Sequence, residues 1–135
     1  MHESSFNVRF GDCDPAGISF YPNTFGWIDA TFHDLLKNFG GHAILCEKLD
    51  AKGLGLASAD AQFRSPLTDG DLLRVTLEIE KWGPRSVTIR YTGHVGLRLA
   101  FEATEVRCLF KTGERGVFAA PMDAVRKILE EGTDG

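Results

Sequence analysis

Two aspartates and a cysteine stand close together in residues 9–23, which read RFGDCDPAGISFYPN. Asp14-Pro15-Ala16-Gly17 carries Asp, Pro and Gly at the first, second and fourth positions of a type I turn. A carboxylate held in such a turn can attack a carbonyl carbon or activate a water molecule. The carbonyl oxygen then needs a hydrogen-bond donor, and the unpaired N–H groups at a helix start can supply one.

Asp14 is the candidate catalytic group of this segment, and Phe20 and Tyr21 are candidate walls of its site. A helix that starts just after Tyr21 would direct its partial positive charge at a substrate carbonyl held near that residue. Aromatic side chains beside Asp14 would partly desolvate the carboxylate and raise its basicity. A purely structural role for Asp12 and Asp14 stays open on local pattern alone, because Asp commonly bonds backbone N–H groups in turns.

A calcium loop is the obvious alternative for the pattern D-x-D. Counting from Asp12, the fifth, sixth and twelfth positions of an EF-hand loop fall on Ala16, Gly17 and Asn23. Two of the required oxygen ligands are therefore missing, and Pro15 stiffens the loop, so the sequence argues against calcium.

The remaining metal-binding and redox residues are scattered along the chain. The histidines lack H-x-x-x-H and H-E-x-x-H spacing, which argues against catalytic zinc, and no metal or other cofactor is expected. The three cysteines contain no CxxC and do not form a disulfide framework, which suits a reducing compartment. The residues concerned are His2, His33, His42 and His94, and Cys13, Cys46 and Cys108.

Length and composition favour a single globular domain over residues 1–135, with 43% hydrophobic and 25% charged residues. The net charge is −4, and the sequence contains no cluster of Lys and Arg residues, so a nucleic-acid partner is not expected. The amino-terminal residues lack the apolar run of a signal peptide, and no stretch of about 18 apolar residues predicts a membrane span. We therefore expect a cytoplasmic protein.

One long helix is predicted after the aspartates. Asn23 is a good N-cap, Pro22 prevents a much earlier start, and Gly40-Gly41 is a typical end. The apolar residues between them recur at helical spacing along one face: Phe25, Ile28, Phe32, Leu35, Leu36 and Phe39. Trp27 lies on the other side, so the helix is predicted to be central and covered on both sides.

Alternating patterns predict strands on both sides of this helix. A short strand covers Phe6 to Phe10; after an uncertain helical segment at residues 42–52, strands follow near residues 57–64, 73–80, 87–91, 97–110 and 117–119. Short turns between them imply an antiparallel sheet curved around the long helix, and a last helix is predicted from Met122 to Glu131.

Two details of the strand patterns predict local geometry. The alanines at positions 57, 59 and 61 would leave room for the helix to approach the sheet. The apolar positions change parity between Ala103 and Val106, which predicts a bulge or a strong bend in that strand.

The stretch FGDCDPAGI, followed by Tyr21-Pro22-Asn23 and Trp27-Ile28-Asp29-Ala30, closely resembles the Pseudomonas-type 4-hydroxybenzoyl-CoA thioesterases. The match continues more loosely from Phe63 to Asp71 and at Lys81-Trp82 and Arg85-Ser86. The resemblance implies an α+β hot-dog fold, a curved antiparallel sheet wrapped around one long central helix. It also implies hydrolysis of an acyl-CoA thioester, either aromatic, such as 4-hydroxybenzoyl-CoA, or of short or medium chain length.

The resemblance also implies roles for individual residues. Asp14 falls on the family's catalytic aspartate, Tyr21 on the residue whose N–H polarises the thioester carbonyl, and Asp29 on the helix carboxylate that bonds the 4-hydroxyl group. Gly17 and Phe20 would complete the substrate-binding corner. An Asp29–His33 pair one helical turn apart is the structural alternative for Asp29.

Two departures from the family pattern affect the expected ligands. Gly83-Pro84 replaces consecutive basic residues, so Lys81 and Arg85 are the candidates for binding the CoA phosphates. Phe20 replaces a tryptophan beside the acyl pocket.

The resemblance further implies a homodimer or a homotetramer, with the site at the dimer interface and the strand near residues 57–64 facing Asp14 of the other copy. A non-catalytic acyl- or CoA-binding subunit of the same fold stays open as the alternative function, because a fold does not fix function.

Overall fold

The computed structural model describes residues 1–132 and contains six strands and three α-helices in that range. The strands are β1 (His2–Asn7), β2 (Gly53–Phe63), β3 (Leu72–Trp82), β4 (Val87–Val95), β5 (Arg98–Gly113) and β6 (Gly116–Ala120). The helices are α1 (Pro22–Lys37), α2 (His42–Leu49) and α3 (Asp123–Gly132), and a 3-10 turn covers Phe10–Asp12. No helix in the described range is long and apolar enough to cross a membrane.

All six strands belong to one sheet with the order β1-β3-β4-β5-β2, and β6 pairs with β5. β1 is antiparallel to β3, with Phe6 opposite Leu73, and β6 is antiparallel to β5. The predicted order of elements is confirmed: a strand, a long helix, further strands and a last helix.

Helix α1 begins one residue earlier than the expected Asn23 cap, because Pro22 occupies the first helical position. Proline is well suited to that position, since its fixed φ is helical and it has no N–H to leave unpaired. The Asn23 side chain does not cap the helix; its amide donates to the backbone carbonyl of Asp12 at 2.8 Å. At the other end the predicted glycines do stop the helix, as Gly40 and Gly41 both have positive φ. The Gly41 N–H reaches back to the Leu36 carbonyl at 2.9 Å.

The chain forms two compact units. The first comprises Met1–Phe32, Asp60–Glu78 and Arg90–Thr104. Most of its buried apolar side chains come from α1 and from β3, β4 and β5, and they include Ile28, Phe32, Leu73, Val75, Leu77, Tyr91 and Phe101.

The second unit comprises His33–Ala59, Ile79–Ile89 and the chain from Glu105 onward. Its buried apolar residues include Leu36, Leu45, Leu54, Ile89, Leu109, Met122 and Val125. Cys46 is also buried there, and desolvation raises the pKa of its thiol. All three cysteines are free thiols.

A buried ion pair explains the change of parity in β5. Odd-numbered positions stay buried from Phe101 to Leu109, and Glu105 and Arg107 occupy two of them. Arg107 Nε donates to Glu105 Oε1 at 3.0 Å, Nη2 donates to Oε2 at 3.1 Å, and Nη1 donates to the Leu54 carbonyl at 2.9 Å. The inferred change of the buried face between Ala103 and Val106 was wrong, because Glu105 and Arg107 continue the buried positions as charged residues. The predicted bulge or bend of this strand stays a prediction.

The three alanines of β2 do not face a covering helix within the chain. Ala57 and Ala59 are exposed, and Ala61 is only half-buried. β2 is the last strand in the sheet order, and both of its faces are exposed from Leu56 to Asp60. The expectation that these alanines admit α1 is therefore wrong for the single chain.

Candidate active site

The segment from Asp12 to Phe20 forms a small hairpin that presents Asp14 at its turn. Cys13 and Ser19 form an antiparallel bridge, and the Asp14 N–H donates to the Ile18 carbonyl at 2.8 Å. The Gly17 N–H closes the predicted turn on the Asp14 carbonyl at 2.9 Å, and Gly17 has a φ of +82°. Glycine suits this position because a side chain would strain the left-handed backbone.

The Asp14 carboxylate is half-buried and only partly used by the protein. Its Oδ1 accepts a hydrogen bond from the Ala16 N–H at 2.9 Å, as expected for an aspartate in a turn. Its Oδ2 has no hydrogen-bond partner among residues 1–132. One oxygen therefore fixes the side chain while the other can accept a proton or attack a carbon.

Asp12 has a different position and a supporting role. Its Oδ2 accepts the Arg9 N–H at 2.8 Å, and its backbone carbonyl accepts the Phe20 N–H, also at 2.8 Å. The same carbonyl accepts the Asn23 amide, so Asp12 joins the hairpin to the first turn of α1.

The start of α1 leaves one backbone donor unused. The Asn23 N–H donates to Phe20 at 3.0 Å, the Thr24 N–H donates to Tyr21 at 3.2 Å, and Pro22 has no N–H. The Tyr21 N–H has no acceptor within the described part of the chain. An unpaired N–H at a helix start is suited to bind an oxygen that gains negative charge.

A largely apolar cavity of about 580 Å³ opens beside this helix start, within the first unit. Its lining is Ile18, Ser19, Tyr21, Thr24, Phe63, Arg64, Ser65, Pro66, Leu67, Ala100 and Phe101. Phe101 is held close to the backbone of β4, where a Cβ added to Gly93 would lie 2.3 Å from its Cε2.

Of the residues predicted for the corner, only Tyr21 lines the cavity directly. Asp14, Gly17 and Phe20 belong to the adjoining hairpin, and the Phe20 ring meets the Tyr21 ring edge-on at 5.3 Å. Asp29 lies at an exposed position of α1 and is not part of the lining among described residues.

The cavity also contains residues that the sequence pattern did not single out, notably Thr24, Phe63 and Ser65. Thr24 could have been found from the predicted helix start, because it follows Asn23 directly and its side chain belongs to the first helical turn beside Tyr21. Phe63 and Ser65 come from the end of β2 and the turn that follows, and no local signal places them near Tyr21.

The candidate CoA-binding residues lie in the second unit. Lys81 lines a second cavity of about 580 Å³ with Trp82 and Arg126, whose guanidinium carbon lies 5.9 Å from the centre of the indole ring. Arg85 donates from Nη1 to the Ala119 carbonyl at 2.9 Å. Among residues 1–132 the other donors of Arg85 and the ammonium group of Lys81 have no hydrogen-bond partner, so they are available to an anion.

Comparison with known proteins identifies the class. The Thioesterase superfamily model matches residues 16–96, more than half of the chain. The chain belongs to this superfamily and is an acyl-CoA thioesterase. The predicted enzyme class is therefore confirmed.

Individual relatives agree with this assignment. The 4-hydroxybenzoyl-CoA thioesterase of Pseudomonas sp. (strain CBS-3) is 29% identical over 117 residues, which cover 80% of this chain and 82% of that protein. A 1,4-dihydroxy-2-naphthoyl-CoA hydrolase of Thermosynechococcus vestitus is 30% identical over 106 residues, which cover 76% of this chain and 71% of that protein. The solved structure of a gentisyl-coenzyme A thioesterase is 26% identical, with a TM-score of 0.76 over 95% of this chain and 98% of that one. The predicted α+β hot-dog fold and the family resemblance are confirmed.

Proposed function

We propose that the protein hydrolyses the thioester of a hydroxylated aromatic acyl-CoA, such as 4-hydroxybenzoyl-CoA, with Asp14 and the Tyr21 N–H as its catalytic groups. The observation that carries the mechanism is the hairpin from Asp12 to Phe20. It holds Asp14 with one carboxylate oxygen unpaired and leads directly into the unpaired N–H of Tyr21.

The reaction can follow two routes with the same products. As a general base, Asp14 takes a proton from water while the water oxygen bonds to the carbonyl carbon. As a nucleophile, Asp14 attacks that carbon itself, and water then hydrolyses the mixed anhydride. In both routes the Tyr21 N–H stabilises the negative carbonyl oxygen, the C–S bond breaks, and the CoA thiolate leaves and takes up a proton.

The acyl class is supported by the cavity and by the relatives. Tyr21, Phe63 and Phe101 give the lining flat apolar surfaces that suit an aromatic ring. All three relatives are named for hydroxylated aromatic acyl groups: 4-hydroxybenzoyl, 1,4-dihydroxy-2-naphthoyl and gentisyl. Gly17 and Phe20 shape the corner in this proposal. Asp29, which is exposed outside the cavity lining of the single chain, bonds the hydroxyl group of an acyl ring that extends to it. The CoA phosphates bind Lys81 and Arg85.

A homodimer, or a homotetramer built from two dimers, is part of the proposal. Several large apolar side chains near the corner and on β2 are exposed in the single chain, among them Phe10, Phe20, Leu56 and Phe63. The exposed stretch of β2 is a sheet edge that a second copy can cover. Sedimentation velocity tests this part, and a monomer at micromolar concentration would contradict it.

A panel of acyl-CoA substrates tests the function. It should contain 4-hydroxybenzoyl-, gentisyl-, 1,4-dihydroxy-2-naphthoyl-, benzoyl-, acetyl- and hexanoyl-CoA, with release of the CoA thiol as the measurement. We expect the hydroxylated aromatic members to give the highest kcat/KM. Asp14→Asn should lower kcat by about 10²–10⁴-fold, because asparagine can keep the bond from Ala16 but cannot accept the proton.

Asp12→Asn is the matched control, because the asparagine side chain can still accept the Arg9 N–H. We expect this variant to keep near wild-type turnover. Equal turnover by Asp14→Asn and the wild type would refute the mechanism. Tight binding without turnover across the whole panel would favour the alternative, a non-catalytic acyl-CoA-binding subunit.

A further inference from the structure

Thr24 has a buried hydroxyl group that the protein itself does not use. The residue is 2% exposed and lines the cavity, yet its Oγ1 has no hydrogen bond to any residue in the range 1–132. No side-chain nitrogen or oxygen in that range is both sealed from solvent and unpaired. The Thr24 hydroxyl therefore opens into the cavity.

A second threonine of α1 shows what a purely structural hydroxyl does in this helix. Thr31 is also fully buried, and its Oγ1 donates to the Trp27 carbonyl at 2.8 Å, one helical turn back. The corresponding carbonyl for Thr24 belongs to Phe20, and it accepts the Asn23 N–H at 3.0 Å. The Thr24 hydroxyl group does not donate to that carbonyl or to any other group among residues 1–132, so its hydrogen is available to a bound molecule.

The helix geometry directs this hydroxyl group toward the amino-terminal end of α1. Thr24 is the third residue of the helix, and helical side chains tilt toward the start of their helix. Tyr21 immediately precedes α1, and its N–H has no acceptor among residues 1–132. Both residues line the same cavity.

We infer that Thr24 Oγ1 donates a second hydrogen bond to the thioester carbonyl oxygen, beside the Tyr21 N–H. This inference rests on the proposed function and adds a side-chain donor to it. The carbonyl oxygen gains negative charge as the tetrahedral intermediate forms, so the bond strengthens during the reaction. Thr24 is then a catalytic residue of this chain.

Three variants test the inference by steady-state kinetics on the best substrate of the panel. Thr24→Val removes the hydroxyl group at nearly constant shape and should lower kcat by about 10²–10³-fold with little change in KM, as for loss of one oxyanion donor. Thr24→Ser should keep kcat within about threefold of the wild type. Thr31→Val removes a hydroxyl group that bonds only the helix, so it should lower the melting temperature and leave kcat unchanged.

Two results would overturn the inference. One is a wild-type kcat in Thr24→Val. The other is a loss confined to hydroxylated acyl groups, which would show that Thr24 binds the ring substituent instead.

Calorimetric binding separates failure of this inference from failure of the proposed function. The ligands are two stable CoA analogues, a ketone that keeps the carbonyl and a thioether that lacks it. Thr24→Val should weaken binding of the ketone by about 3–10-fold and leave the thioether unchanged. That result supports the Thr24 contact even if the wild type hydrolyses no substrate. Equal affinities of Thr24→Val and wild type for the ketone, or no binding of either analogue to the wild type, reject it.

Discussion

The side-chain amide of Asn23 donates a 2.8 Å hydrogen bond to the backbone carbonyl of Asp12 and so ties helix α1 to the hairpin that carries Asp14. The Asp12 carbonyl also accepts the Phe20 N–H, and these two bonds join the carboxylate segment to the start of the helix. The relative position of the proposed base and the proposed oxyanion donor therefore depends on these two bonds, and the Asn23 amide supplies the one that comes from α1.

Asn23→Ala should reduce catalysis more than it reduces folding. The substitution leaves the Asp12 carbonyl bonded to Phe20, so the cost in stability should be about 1 kcal/mol. A small displacement of Asp14 from the carbonyl should lower kcat by about 10–100-fold. Asn38→Ala, at an exposed site after α1, is the control for kinetics and thermal unfolding. An unchanged kcat would mean that the hairpin holds its position without the amide.

Gly17→Ala should destabilise the hairpin through its backbone conformation alone. The φ of +82° disfavours any side chain, and no atom within 4 Å would collide with the new Cβ. We expect a loss of about 1–2 kcal/mol, which lowers the melting temperature by several degrees. Gly11→Ala also adds a Cβ, but Gly11 has no positive φ and no atom within 4 Å of the new Cβ. Calorimetry should therefore find the melting temperature of this variant nearly equal to that of the wild type. Equal melting temperatures for the two variants would argue against conformational strain at Gly17.

Gly93→Ala should disturb the cavity wall as well as the core. The added Cβ would lie 2.3 Å from Cε2 and 2.6 Å from Cζ of Phe101, so the buried ring must move. Overpacking of this kind costs about 1–3 kcal/mol of folding stability, and the KM for aromatic acyl-CoA substrates should rise as the cavity wall shifts.

Gly26→Ala is the control. A Cβ added to Gly26 of α1 meets no atom within 4 Å, so this substitution should instead stabilise the fold by about 0.5–1 kcal/mol. Chemical unfolding with parallel kinetics measures both changes, and a stability gain in Gly93→Ala would show that the ring adapts freely.

Arg107→Met should cost about 3–5 kcal/mol, because it leaves the buried Glu105 carboxylate without its guanidinium partner. The double variant Glu105→Leu with Arg107→Met removes both charges and should recover most of that loss. Urea unfolding of the single and double variants measures the difference. A single variant as stable as the wild type would show that other groups satisfy Glu105.

The parts of the structure that the sequence predicted are those with local causes. The turn at Asp14 follows from a Pro and a Gly at fixed offsets, and the end of α1 follows from the glycines at positions 40 and 41. The alternation of β3 predicted a strand with one buried face, and Leu73, Val75 and Leu77 are all fully buried.

The parts that escaped prediction depend on partners distant in sequence. Glu105 and Arg107 stand at buried positions because each satisfies the other, which a count of apolar residues cannot detect. The exposed alanines of β2 follow from its place at the end of the sheet order. Phe63, Ser65 and Phe101 meet at the cavity only because β2, the turn after it and β5 converge there.

The hydrogen bonds of the Asp12–Phe20 hairpin are made between groups of the protein itself. The hydrogen bonds of Asp14 and Gly17 and the bond from the Phe20 N–H to Asp12 run between residues of this segment, and Asn23 holds it to α1. The entropy of ordering the corner is thus lost during folding and not during substrate association. Binding energy from the CoA and acyl groups remains available for the transition state, and the corner should have the same conformation with and without ligand.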